Sequence, residues 1–202
     1  MAKIDSIEKL TDNRFLNMYL VKGHNSKGYH SNYMVASRAE QIEDLKISTG
    51  KNTPDGVIIY AVYGEKKDRV VLVRQYRYPI NGFVYEMPAG LVEKGEDYHE
   101  AAVRELHEET GLDFELVPAD PMYEEPRFTT IGMTDESCAT VYGYAFGEIS
   151  DAYAEPSEEI QVVLADREEC RRILREERVS LNCAYSLMHF LGDEDPFAFL
   201  GK

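Results

Sequence analysis

Tryptophan is absent from the 202 residues, and cysteine occurs three times. Cys138, Cys170 and Cys183 are odd in number, widely spaced and form no CxxC pair, which argues against a disulfide framework and against a thiolate zinc site. Long apolar runs are also missing. The longest, such as Val57–Tyr63, fall far short of the roughly 20 residues that cross a bilayer, so no membrane partner is expected. The opening residues, MAKIDSIEKLTDN, are acidic in part and lack an apolar stretch of signal-peptide length, so a cytoplasmic location is expected. Positive charge is scarce: Lys+Arg 22 against Asp+Glu 37 gives a net charge of −15, a poor partner for nucleic acid. Any polyanionic substrate must therefore be met by cations or by local arginines. No HExxH motif occurs: His99 and His107 fall on an expected helix, His24, His30 and His189 are isolated, and all five read as structural or surface residues.

What is present describes an ordinary folded chain, 44% hydrophobic and 29% charged, long enough for one domain with a small extra element. Residues 14–22 alternate Leu16, Met18 and Leu20 and read as a strand. HNSKG at 24–28 is turn chemistry, and Tyr29–Ser37 reads as the returning strand of an antiparallel hairpin. After a polar connector, strands are expected at Gly56–Tyr63, Val70–Tyr76 and Phe83–Met87. A helix follows, then strand-like segments at Leu116–Tyr123, Thr140–Phe146 and Ile160–Leu164. Asp166 with Glu169 three residues on is a capping box for a helix to about Glu177, and a last helix is expected over Leu181–Leu191. Strands first, with helices interspersed later, predict an α+β sandwich built around a mixed sheet.

The chemistry is concentrated in GLVEKGEDYHEAAVRELHEETGL, residues 90–112. Asp97 can cap a helix over Tyr98–Thr110, with Glu100 reaching back, and Gly111 can end it in the left-handed conformation. At about 100° per residue, Glu105, Glu108 and Glu109 fall on one face about 100° wide. Tyr98, Ala102 and Leu106 recur every fourth residue and can pack on the core. A bare ExxEE on a helix is usually a solvated face with pairs such as Glu100–Arg104 and Arg104–Glu108. Crowded carboxylates nonetheless repel, and a hard cation such as Mg²⁺ or Mn²⁺ relieves that repulsion with oxygen ligands.

The full pattern goes further. G-x5-E-x7-R-E-U-x-E-E-x-G-U, with U aliphatic, is the signature of the Nudix hydrolases. Every specified position is met here, by Gly90, Glu96, Arg104, Glu105, Leu106, Glu108, Glu109, Gly111 and Leu112. With residue types at background frequencies of several per cent, a chance match is rarer than roughly one in a million chains. The chain therefore resembles that family. The resemblance implies a mixed sheet between helices, a metal-holding loop–helix–loop, and hydrolysis of a nucleoside diphosphate linked to another moiety. It implies that Glu105 and Glu109 are the principal metal ligands, assisted by Glu108 and by the backbone carbonyl of Ala89. It gives Gly90, Glu96, Arg104 and Gly111 structural roles.

Beyond the box, VRQYRYPINGFVYEMPAG (residues 73–90) resembles the ADP-ribose pyrophosphatase branch, as does the hairpin before it. This implies an amino-terminal β extension, residues 1–50, that mediates a homodimer, and a catalytic domain over 51–202. Arg77 matches the arginine that contacts the diphosphate. Arg74, three residues away on the strand, faces the other way. Arg38 is a candidate second phosphate contact, and Glu86 a contact to the ribose-diphosphate region. GMTDES (132–137) resembles the substrate loop, with Gly132 and Glu136 in matching places. Ile131 stands where the branch commonly has proline, which keeps another nucleotide sugar or a dinucleotide open as substrate. In AEPSEEI (154–160), Glu158 aligns with a further metal-contacting position. The usual position of the catalytic base falls on Pro156, so Glu155, Glu158 or Glu159 are all candidates for the base. A non-catalytic nucleotide-sensing domain is the rival reading from another class.

Overall fold

The computed structural model describes residues 1–154 and 159–200. Its strands and helices, in chain order, begin with β1 (Lys3–Lys9), β2 (Asn17–His24), β3 (His30–Ser37), α1 (Lys46–Thr49), β4 (Gly56–Tyr63) and β5 (Arg69–Arg77). Then come β6 (Gly82–Glu86), β7 (Ala89–Leu91), α2 (Tyr98–Thr110), β8 (Asp113–Leu116), α3 (Pro121–Glu124) and β9 (Arg127–Phe128). β10 (Ser137–Phe146), β11 (Ile160–Ala165), α4 (Arg167–Glu176) and α5 (Leu181–Gly192) complete the order. The chain divides into two compact units: Met1–Asp55 with Pro126–Cys138, and Gly56–Glu125 with the residues from Ala139 onward.

The first unit is built on an antiparallel sheet in the order β1-β2-β3. Its centre is Tyr19, fully buried, whose hydroxyl donates to the carbonyl of Ala39 at 2.6 Å. Lys46 is held between the Asp55 carboxylate at 2.6 Å and the Ser137 hydroxyl. The expected hairpin is β2 and β3, but β1 is an addition to the sequence reading. Its isoleucines, Ile4 and Ile7, are spaced by three rather than two. The reason is a register shift between Ile4 and Ser6, a bulge that breaks the alternation.

The second unit carries the sheet β11-β5-β4-β10-β8, with β6 on β5 and β7 on β4. Side chains of β4 alternate between two cores, as period 2 demands. Val57, Ile59 and Ala61 pack with Ala101, Ala102 and Leu106 of α2. Tyr60 and Val62 pack with Cys170 and Ile173 of α4 and Cys183, Leu187 and Phe190 of α5. The sheet is thus sandwiched between α2 on one face and α4 with α5 on the other, the α+β arrangement expected. Burial raises the thiols of Cys170 and Cys183 to about 12, which leaves them protonated and inert at neutral pH.

One sequence expectation is corrected here. Leu116–Tyr123 is not a strand, because β8 ends at Leu116 and α3 begins at Pro121. Asp120 caps that turn, accepting from the backbone N–H of Met122 at 2.9 Å, and proline at the first helical position has no N–H to leave unpaired. Among the described residues no helix is long and apolar enough to cross a membrane.

Candidate active site

α2 begins and ends where its own residues dictate. Asp97 accepts from the backbone N–H of His99 at 2.9 Å, which holds its carboxyl below the usual range. Gly111 closes the helix at φ 75°. A Cβ there would sit 2.6 Å from the Ser150 nitrogen, so glycine is required both by conformation and by space.

The loop before the helix is fastened to it by Arg104. Its Nε and Nη2 grip Glu96 Oε1 and Oε2 at 2.9 and 3.0 Å, a bidentate pair, and Nη2 also donates to the Leu91 carbonyl at 3.0 Å. Glu96 Oε2 in turn accepts from the Glu93 backbone N–H at 2.9 Å. These contacts, the Arg104 bond first, hold the Glu96 carboxyl below its ordinary value. Arg104 Nη1 reaches the other way, to Glu105 at 2.8 Å and Glu108 at 3.0 Å. One guanidinium therefore ties the loop down and offsets the repulsion between two of the crowded glutamates.

Glu109 is nearly buried and accepts from the Ala89 backbone N–H at 3.2 Å. Glu105 lies against Gly90 so closely that a Cβ added to Gly90 would fall 1.9 Å from the Glu105 carboxyl carbon. Gly90 is therefore a packing requirement, set by the carboxylate above it. Leu106, about 100° around the helix from Glu105, is fully buried and anchors the helix on the core. Glu105, Glu108 and Glu109 offer oxygen donors only. That chemistry suits a hard divalent cation rather than a thiophilic one.

The remaining candidates fall into two groups. In the second unit Arg77 and Glu86 are paired, Nε to Oε2 at 2.7 Å, while Arg74 turns to Gln161 and stacks on Phe83. In the first unit Arg38 donates twice to Glu136 Oε1, at 3.2 and 3.0 Å, and Thr129 donates to Oε2 at 3.0 Å. The Gly132 carbonyl there accepts from the Tyr33 hydroxyl at 2.7 Å. The sequence points to Arg38 and Glu136 separately, and nothing local to either residue announces the pair. Glu155 and Glu158, like Pro156, lie outside the described residues. Glu159 is exposed and its carbonyl accepts from the Tyr76 N–H at 3.2 Å.

The histidines are corrected in part. His24 and His30 are not isolated: both lie beside Asp5 in the first unit. Only the opposition of the two histidines was legible in the sequence, since a hairpin turning through HNSKG brings residues at its two ends into register, whereas Asp5 arrives through the β1 bulge.

A loop clamped to a helix that carries three glutamates on one face, beside a sheet between helices, is the architecture of a Nudix fold. The NUDIX domain family matches residues 52–184, about two thirds of the chain, and the chain belongs to that family. It is 39% identical over 80 residues to the ADP-ribose pyrophosphatase of Saccharomyces cerevisiae, covering 39% of this chain and 35% of that protein. It is 36% identical over 95 residues to the ADP-ribose pyrophosphatase of Bacillus subtilis, covering 43% and 50%. An ADP-sugar pyrophosphatase of Mus musculus matches at 38% over 82 residues, covering 39% and 38%. In these alignments the chain spans between about a third and half of each relative's length. A solved structure of an ADP compounds hydrolase superposes with TM-score 0.68 at 18% identity, covering 99% of this chain and 96% of that one, a likeness of fold.

Proposed function

We propose that the protein hydrolyses the diphosphate bond of ADP-ribose, or of a similar ADP-sugar, to AMP and the sugar phosphate. The observation that carries this reading is the glutamate face of α2, locked to its loop by the single network of Arg104. Glu105, Glu109, Glu108 and the Ala89 carbonyl would hold Mg²⁺, with Mn²⁺ as an alternative. When bound, such an ion neutralises the diphosphate and acidifies an attacking water. On a chain of net charge −15, that neutralisation is needed before a dianion can dock.

The chain's own residues supply orientation and proton handling. Arg77 is paired with Glu86 at 2.7 Å, and this reading has it exchange part of that contact for a phosphate oxygen. Glu86 then stays beside the guanidinium and is available to a ribose hydroxyl. Arg38, Gly132 and Glu136 are carried as substrate contacts on the family resemblance. The base that takes the proton from the attacking water is assigned to the acidic segment at 155–159, with Glu155, Glu158 and Glu159 as candidates. The names of the yeast, Bacillus and mouse relatives support an ADP-ribose or ADP-sugar substrate. A cytoplasmic homodimer, formed through the amino-terminal sheet, completes the proposal.

The test is turnover of a panel with Mg²⁺: ADP-ribose, ADP-glucose, NADH and diadenosine polyphosphates, for wild type and Glu109→Gln. Preferential cleavage of ADP-ribose that collapses in the variant supports the proposal. Activity on another panel member alone refutes the substrate, and nucleotide binding without turnover refutes the catalytic reading.

A further inference from the structure

The first unit gathers a second set of ligating side chains, unrelated to the glutamate face. His24 ends β2 and His30 begins β3, and the register sets them directly opposite one another. Opposed residues of an antiparallel pair project from the same face, and here the ring centroids are 5.9 Å apart. Ordinary pairing would not bring Asp5 to them. Ile4 pairs with Gly23 and Ser6 with Lys22, which leaves Asp5 as the extra residue of the β1 bulge. Bulges re-aim a side chain, and this one sets the Asp5 carboxylate 3.1 Å from His24 Nδ1 and 4.0 Å from His30 Nδ1. Gly23 permits the bulge, since a Cβ there would meet the Lys3 carbonyl oxygen at 2.5 Å. One ligand atom from each of the three residues lies within 4.8 Å of the other two.

We propose that Asp5, His24 and His30 bind a borderline divalent transition ion, of the Zn²⁺ class. Two imidazoles and one carboxylate suit such ions, whereas Mg²⁺ prefers the all-oxygen set on α2. Tetrahedral ligands at 2.0–2.1 Å from Zn²⁺ stand about 3.3 Å apart, and the Asp5–His24 separation of 3.1 Å already matches. His30 has to close by under about 1 Å from 4.0 Å, a small motion for a side chain that is 84% exposed. A simple ion pair would need one histidine, and two are built against the same carboxylate. Water takes the remaining coordination position. The exposure of the ligands makes this a reversible site of modest affinity rather than a structural one.

Equilibrium dialysis against Zn²⁺ tests this, on protein freed of any polyhistidine tag and in millimolar Mg²⁺ to occupy the hard-oxygen donors. Wild type should take up one equivalent of Zn²⁺. His30→Ala should weaken uptake at least tenfold, and the His24→Ala/His30→Ala pair should abolish it. Co²⁺ should give the intense visible bands of a low-symmetry site in wild type and lose them in the double variant. His30 is 84% exposed and meets the rest of the sheet only at its rim, beside His24 and Asp5, so its replacement should leave the fold intact, and circular dichroism checks the double variant. Absence of Zn²⁺ uptake by wild type, or undiminished uptake by the double variant, overturns the proposal.

Discussion

Gly90→Ala separates the packing of the glutamate face from the stability of the fold. An added Cβ would lie 1.9 Å from the Glu105 carboxyl carbon and 2.1 and 2.2 Å from its oxygens. Ordinary contact requires about 3.5 Å, so the carboxylate must retreat by about 1.5 Å. Glu105 is the end of a flexible side chain and can do so by a rotamer change costing about 1 kcal/mol. The retreat breaks its 2.8 Å bond to Arg104 but leaves the Arg104–Glu96 pair in place. Gly90 does not occupy the left-handed region, so alanine adds no backbone strain and gains about 0.4–1 kcal/mol by restricting the unfolded chain. With the broken bond costing about 1 kcal/mol more, the net loss is about 1–1.6 kcal/mol, and the melting temperature should fall by less than about 7 °C. Turnover should behave otherwise, because a displacement of about 1 Å in a reacting constellation costs on the order of 100-fold. Thermal melting and Mg²⁺-dependent turnover on one preparation read both quantities. A variant that keeps turnover within threefold, or one that melts more than about 10 °C lower, refutes this account of Gly90 and Glu105.

Arg104→Met keeps the aliphatic stem but removes the guanidinium contacts to Glu96, Glu105 and Glu108. The network is only partly buried, so a loss of about 2–4 kcal/mol is expected, read by urea unfolding, together with loss of turnover. Leu106→Ala empties a fully buried position behind the glutamate face and should cost about 2–5 kcal/mol by the same measurement. The pH dependence follows from the depressed carboxyls of Glu96 and Asp97. A carboxyl whose folded pKa lies below its unfolded value contributes stability that is fully present above the unfolded value. That contribution disappears as pH falls through the folded value. Stability should therefore fall as pH drops below about 4.5, and Glu96→Gln should flatten that acid limb in unfolding curves taken between pH 6 and 3.

How much of this was legible in the sequence depends on whether a feature is local. The span of α2 and its caps come from Asp97, Gly111 and a four-residue apolar spacing, all within one segment, and the helix matches residue for residue. The strands β4 and β5 were legible because alternation into two cores leaves continuous apolar runs. What was lost is what pairing creates. β1 hid its periodicity in a bulge, and the same bulge brought Asp5 to His24 and His30, which are 19 and 25 residues away. Arg38 and Glu136 meet across 98 residues, and nothing local to either residue announces the other. Arg104 shows the intermediate case. Its helical neighbours Glu105 and Glu108 follow from spacing, but its bidentate grip on Glu96 needs the loop to fold back. A motif read as spacing thus picks out the members of the network, while the geometry that lets one arginine pair with Glu105 and Glu108 and fasten the loop arises only when the chain is folded.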